Sequence, residues 1–282
     1  MAKKYLGSAD PTTVQKAFIN WDTFLKTARD LKKASGGKCV ILSATGDLFQ
    51  PFYGSRSGPW IQNGKLVLDR AMEDYMEMAK TLKGEGLEGR QEQWSQGWYA
   101  GFKGELKNEA GKPVEVFGTF LSSDKFTANL KPNAGNTAGD WGMIAGPASY
   151  RWGGEWLCAY KGTKVPKLAK EFVKFVTADD EFLKKWVKST GTSGTVINNI
   201  VANTNVINAI KDTYTEPFLN GQNSYAEFAA LAQNVNGALP QATDQSIEQF
   251  WGEAVGSFVN GEKSKADAIA DFKRHIKDEL GY

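Results

Sequence analysis

The sequence predicts an α/β protein whose C-terminal part is helical. Three observations carry this. A helical pattern runs into a short apolar stretch across Gly36-Gly37, further short apolar runs alternate with polar loops, and helical periodicity dominates towards the C-terminus.

Taken in order, Pro11 to Ala34 reads as one amphipathic helix. Val14, Phe18, Trp21, Leu25, Ala28 and Leu31 recur at three- and four-residue steps. Asp10 is placed to cap it, with proline at the first helical position. Cys39 to Leu42 then reads as a buried strand. Ala44 to Asn63 is loop-like, with Phe49, Phe52, Tyr53 and Trp60 among Gly and Pro. Leu68 to about Lys83 is helical through Met72, Met76, Ala79 and Leu82. Gly84 to Gly89 has the letters of a dinucleotide fingerprint, but it follows a helix and carries interior glutamates, so it reads as a turn. Short strands are expected at Val114 to Phe120, Trp141 to Ala145 and Leu157 to Tyr160. Helices follow from Pro166 to Val176, from Thr177 through Trp186, and near Val196 to Ile210, Ser224 to Val235, Gln245 to Val259 and Ser264 to Leu280.

Composition narrows the functions. With 282 residues, 41% hydrophobic and 23% charged, the chain can bury one large core or two smaller ones. No apolar run reaches the ~18 residues of a membrane span. The 34 basic and 32 acidic residues leave a formal charge of +2, too balanced for a nucleic-acid partner. Cys39 and Cys158 each sit in an apolar run and read as buried free thiols, with a long-range disulfide between them as the alternative in an exported protein. His275 lies on a charged helix and reads as a surface residue. Metal-ligand spacing, a nucleophile elbow and a phosphate loop are all missing from the sequence, so no metal, no cofactor and no catalytic residue is expected. Met1 to Gly7 starts basic but lacks the apolar stretch of a signal peptide.

Nine tryptophans and nine tyrosines are many for this length. Trp21 and Trp186 fall on helical apolar stripes and read as core. Trp60, Trp152 and Trp156 lie in or beside Gly- and Pro-rich loops, where an indole either folds back onto the core or meets a ligand. Sugar rings offer flat C–H faces that stack on indoles and hydroxyls that need polar partners. Asp47, Arg151, Glu155 and Asp244 are placed to supply those. A glycoside hydrolase would need a facing carboxylate pair, and 32 acidic residues always permit nominating one, so availability carries no weight.

Several segments, in order, resemble the sugar-binding group of bacterial extracellular solute-binding proteins, relatives of maltose-binding protein that serve ABC importers. They are Trp21-Asp22-Thr23-Phe24-Leu25, Asp140-Trp141-Gly142 to Gly146-Pro147, and Tyr150-Arg151-Trp152-Gly153-Gly154-Glu155-Trp156. Ala169 to Phe175, Thr190-Gly191, Asp244-Gln245 with Phe250-Trp251, and Asn260-Gly261-Glu262 with Ala268 and Phe272 follow. The resemblance implies a periplasmic-binding-protein-like (type II) fold with the sugar held in an interlobe cleft, and a sequence in which the signal peptide and most of the first lobe are absent. Residues 1–155 and 193–282 would form the second lobe. Residues 156–192 would return to the first, leaving the apolar faces around Phe172, Phe175 and Trp186 uncovered.

The resemblance further implies a carbohydrate ligand, ABC permease subunits as partners of the intact parent, a monomer, and a cell-surface lipoprotein outside the membrane. The ligand contacts it implies are Asp47, Phe49, Tyr150, Arg151, Trp152, Trp156, Asp244 and Trp251; Trp60 and Glu155 join them from the reading of the residues alone. One departure stands out: where relatives often carry a stacking tryptophan between Phe120 and Phe126, this chain has Ser122, Ser123, Asp124 and Lys125. The competing readings are a sensory or adhesive module on the same lobes and a glycoside hydrolase.

Overall fold

A computed structural model describes residues 1–189 and 200–282. These divide into two compact units, one of Met1–Phe120, Ala145–Arg151 and Asn234–Tyr282, the other of Leu121–Ile144 and Trp152–Gln233. The boundary expected after residue 155 therefore falls inside the second unit. The boundary expected after 192, Thr190-Gly191 and the start of the Val196 helix lie outside the described residues.

In the first unit the expected Pro11–Ala34 helix is interrupted. Asp10 caps Pro11–Gln15 by accepting from the Thr13 N–H at 2.8 Å, and a tight turn follows. A new helix, Trp21–Ala34, starts at Asn20, whose backbone is extended and whose side chain accepts from Thr23 N at 2.9 Å. The Thr23 hydroxyl accepts from the Asn20 N–H in return, closing a capping box. Periodicity continues across this break, because both pieces turn their apolar stripe inward, burying Val14 on one side and Phe24, Ala28 and Leu31 on the other.

Cys39–Val40 pairs in parallel with Glu115–Val116, and Leu42 bridges Glu88 in parallel. Cys39 to Leu42 and Ala44 are all buried, as an unbroken apolar run in a parallel arrangement should be. Cys39 is thus the buried thiol the sequence suggests, whereas Cys158 is exposed: its apolar run gains no cover in the second unit. Helices Phe49–Gly54, Arg70–Gly84 and Gln96–Lys103 follow; the first and last fall in stretches whose sequence reads as loop or carries no pattern. The closing pair, Asp244–Val259 and Lys265–Leu280, packs against each other, and the former also against Arg70–Gly84.

In the second unit, Asp180–Trp186 and Thr204–Ile210 bury Leu183, Val187, Val206 and Ile210 together with Val201 and Tyr225. Trp186 packs against this cluster and so is not left uncovered, while Phe172 and Phe175 are exposed. Lys131 and Glu216 form a buried ion pair at 2.5 Å, and Tyr214 Oη donates to the same carboxylate at 2.7 Å. Gln222 brackets Met143 by accepting from its N–H and donating to its C=O, at 2.7 and 2.6 Å. The strands expected at 141–145 and 157–160 join no ladder among the described residues. An apolar run becomes a strand only when a neighbour supplies its hydrogen bonds. Pro166–Ala178 forms as expected, with no buried residue along its length.

Candidate functional site

The ten expected contact residues separate into three environments. Asp47, Trp60, Asp244 and Trp251 are sealed inside the first unit. Phe49, Tyr150 and Arg151 are half-buried in that unit, and Trp152, Glu155 and Trp156 belong to the second.

Trp60 and Trp251 are both 0% exposed. Their rings stand 6.1 Å apart, and each packs on Phe272, at 5.9 and 5.0 Å. Trp60 leaves a Gly- and Pro-rich loop but folds back onto the two C-terminal helices, so neither indole presents a face to a ligand here. Asp47, in the turn Thr45–Leu48, is tied by three donors. Gln93 Nε2 and Trp98 Nε1 meet one oxygen at 2.9 and 2.8 Å, and Thr119 Oγ1 meets the other at 2.9 Å. Burial pushes this carboxyl up to about 7, against the opposing pull of Thr119, Trp98 and Gln93. Its partners sit on three separate stretches of chain, which it ties together within the first unit. Asp244 accepts from the Tyr53 hydroxyl and from Gln241 N. It too faces inward.

The half-buried residues come together differently. Phe49 lies against Tyr53 and Tyr75, at ring separations of 5.8 and 5.6 Å, and Tyr150 stands edge-on to Phe120 at 6.4 Å. Gly54 is what lets the 149–151 segment approach: a Cβ there would lie 2.7 Å from the Tyr150 Cβ and 3.0 Å from its Cα. Beside this contact a small recess is lined by Tyr53, Gly54, Arg151, Asn236 and Pro240, with room for a hydroxyl rather than a sugar ring. Sequence reasoning does not single out Tyr53, Gly54 or Asn236 as site residues. Tyr53 and Gly54 stand in an aromatic run that offers a signal, whereas nothing local marks Asn236.

In the second unit the chain passes through Gly153 and Gly154 at φ of 67° and 129°, a region that side chains with a Cβ rarely enter. This turn brings the Trp156 indole over Gly154, 3.3 Å from where a Cβ would stand. Trp156 is 69% exposed, Glu155 is exposed, and Trp152 is half-buried. The indole thus lies over glycine with most of its surface in solvent. Its exposure is shared along the chain, since Tyr160, Leu168, Phe172 and Phe175 are also exposed.

No family model matches this sequence, and no curated protein does. Solved structures do resemble it. An extracellular solute-binding protein of family 1 is similar over 97% of this chain and 67% of its own, with a TM-score of 0.77 and 17% identity. An ABC-transporter-associated binding protein from B. animalis subsp. lactis Bl-04, solved with β-1,6-galactobiose, is similar over 93% of this chain and 66% of its own, at a TM-score of 0.63 and 17% identity. A family 1 extracellular solute-binding protein from Alicyclobacillus acidocaldarius gives 94%, 65%, 0.58 and 14% for the same measures. The chain thus spans about two thirds of the length of each. At these identities the likeness speaks for architecture, and the chain has the fold of the family 1 extracellular solute-binding proteins.

Proposed function

We propose that this chain belongs to the substrate-binding component of an ABC sugar importer and binds a mono- or oligosaccharide without catalysis. The observation that carries this reading is the likeness of 97% of the chain to a family 1 extracellular solute-binding protein. The galactobiose held by a second structural neighbour supports a saccharide as the ligand class. Recognition would rest on the exposed indole of Trp156 for stacking, with Trp152, Tyr150 and Phe49 as further aromatic surface. Arg151 and Glu155 would hydrogen-bond the ring hydroxyls. Asp47, Trp60, Asp244 and Trp251 would act indirectly, by holding the first unit's shape. Its partners would be permease subunits, and its site of action the outer cell surface, with a lipid anchor.

Backbone and indole NMR of the chain, titrated with β-1,6-galactobiose and with maltose- and xylose-type oligosaccharides, tests this. At least one sugar should shift the resonances of Trp152, Trp156 and Arg151, and Trp156→Ala should weaken that response by about tenfold, the loss of one stacking contact of roughly 1.4 kcal/mol. Indifference of all three residues to every sugar would sink the saccharide reading. Release of a free sugar from an aryl glycoside would sink the non-catalytic one.

A further inference from the structure

The helix Pro166–Ala178 carries no buried residue. Leu168, Phe172 and Phe175 follow one another at four- and three-residue steps, so they form a single stripe along it. Exposures of 67%, 57% and 49% put that stripe in solvent. The run before the helix adds Leu157, Tyr160 and Val165, all exposed as well. Exposed apolar residues that stand together, rather than scattered singly, mark a contact surface.

Charge decides what kind of surface it meets. From Leu157 to Ala178 the chain holds Lys161, Lys164, Lys167, Lys170 and Lys174 against Glu171 alone. That excess is larger than the +2 of the whole chain, so the remainder is net acidic. All five lysines are exposed, and none enters an ion pair among the described residues; the first pair beyond them is Lys184 with Glu181, at 3.0 Å. Acidic residues return only at Asp179, which caps the next helix. An ordinary solvated flank mixes both signs. A first lobe over this stretch, as the resemblance expects, accounts for the stripe but not for the one-sided charge. A second copy of the chain would set lysines against lysines.

We propose that this stretch docks on an anionic lipid surface, with the Pro166–Ala178 helix lying in the plane of the interface. Leu168, Phe172 and Phe175 enter the acyl boundary, while the lysine stems carry their ammonium groups to the headgroup phosphates. The helix has 13 residues, and no helix among the described residues is long and apolar enough to cross a membrane, so it lies on a bilayer rather than through it. The apolar residues are spread over a helix and the irregular run before it. A lipid surface needs no matching groove and so suits them better than a protein partner, which would have to supply one. The inference does not rest on the saccharide reading, and Trp156, assigned there to stacking, takes no part in it.

Co-sedimentation of the chain with phosphatidylcholine vesicles containing about one quarter phosphatidylglycerol tests this. The chain should pellet with these vesicles, stay in solution with pure phosphatidylcholine, and be released as salt rises. Phe172→Ser should weaken the partitioning by about tenfold. Lys170→Gln combined with Lys174→Gln should weaken it by about thirtyfold, roughly fivefold for each lysine. All three residues are exposed, so an unchanged circular dichroism spectrum and urea midpoint should accompany these losses. Failure to pellet with the anionic vesicles overturns the proposal, as does equal pelleting with pure phosphatidylcholine. Pelleting that Phe172→Ser leaves unchanged overturns it too. So does a dimer that ignores the vesicles and that Phe172→Ser dissolves, which would give the stripe to a second copy. Equal binding of a polyglutamate peptide would overturn it in favour of an acidic protein.

Discussion

Trp60 and Trp156 both stand beside glycine or proline, yet the first is fully enclosed and the second is 69% exposed. The difference lies in what the rest of the chain brings to each. Trp60 is met by Trp251 and Phe272 from the two closing helices, and by Arg56 across its face. Trp156 lies over Gly154 and precedes a helix none of whose residues is buried. A loop tryptophan is therefore no evidence of a binding surface until its surroundings are known. The first unit folds Trp60 into its core, and the second leaves Trp156 on the outside.

The contrast can be broken most forcefully by truncation. Trp60→Ala or Trp251→Ala should cost about 3–5 kcal/mol in urea unfolding, the range for emptying a large core site. Trp156→Ala should stay within about 0.5 kcal/mol of the parent. A costly Trp156→Ala would show that this indole has cover comparable to Trp60. Within the second unit, Lys131→Ala should also be severe, about 3–5 kcal/mol, because Glu216 would remain buried without its cation. Asp47 sharpens the account of the first unit. Asp47→Ala should cost about 2–3 kcal/mol by leaving the Trp98 and Gln93 donors unmet, while Asp47→Asn should cost less than about 1 kcal/mol. In the amide, one oxygen still accepts from both nitrogens and the new NH₂ donates to Thr119 Oγ1. The smallest effect is expected for Phe172→Ser. Removing that exposed ring should leave the unfolding midpoint nearly unchanged while reducing binding of a hydrophobic dye such as ANS.

Much of the helical fold is legible in the sequence. The stripe of Arg70–Gly84 buries Met72, Met76, Ala79 and Leu82, and that of Lys265–Leu280 buries Ala268, Phe272 and Ile276. The cap at Asp10 is equally open to reading, because a helix start depends on residues within one turn of it. The break at Asn20 is harder to see, since the apolar spacing runs through it. The helices Phe49–Gly54 and Gln96–Lys103 escape a reading by pattern because glycine and aromatic residues interrupt both stretches. Of the expected contact residues, Trp156 and Glu155 are exposed, while Asp47, Trp60, Asp244 and Trp251 are enclosed by partners distant in sequence.

By itself, then, the sequence determined the α/β class, most helices and the lack of any spacing suited to a metal or an activated nucleophile, all of which follow from local pattern. Only the tertiary structure decided which tryptophans are sealed, where the chain divides into units, and that the Tyr53 hydroxyl donates to Asp244. The reason is physical: periodicity reports on neighbours three or four residues away, whereas burial and a hydrogen bond between distant residues depend on groups that meet only after the chain has folded.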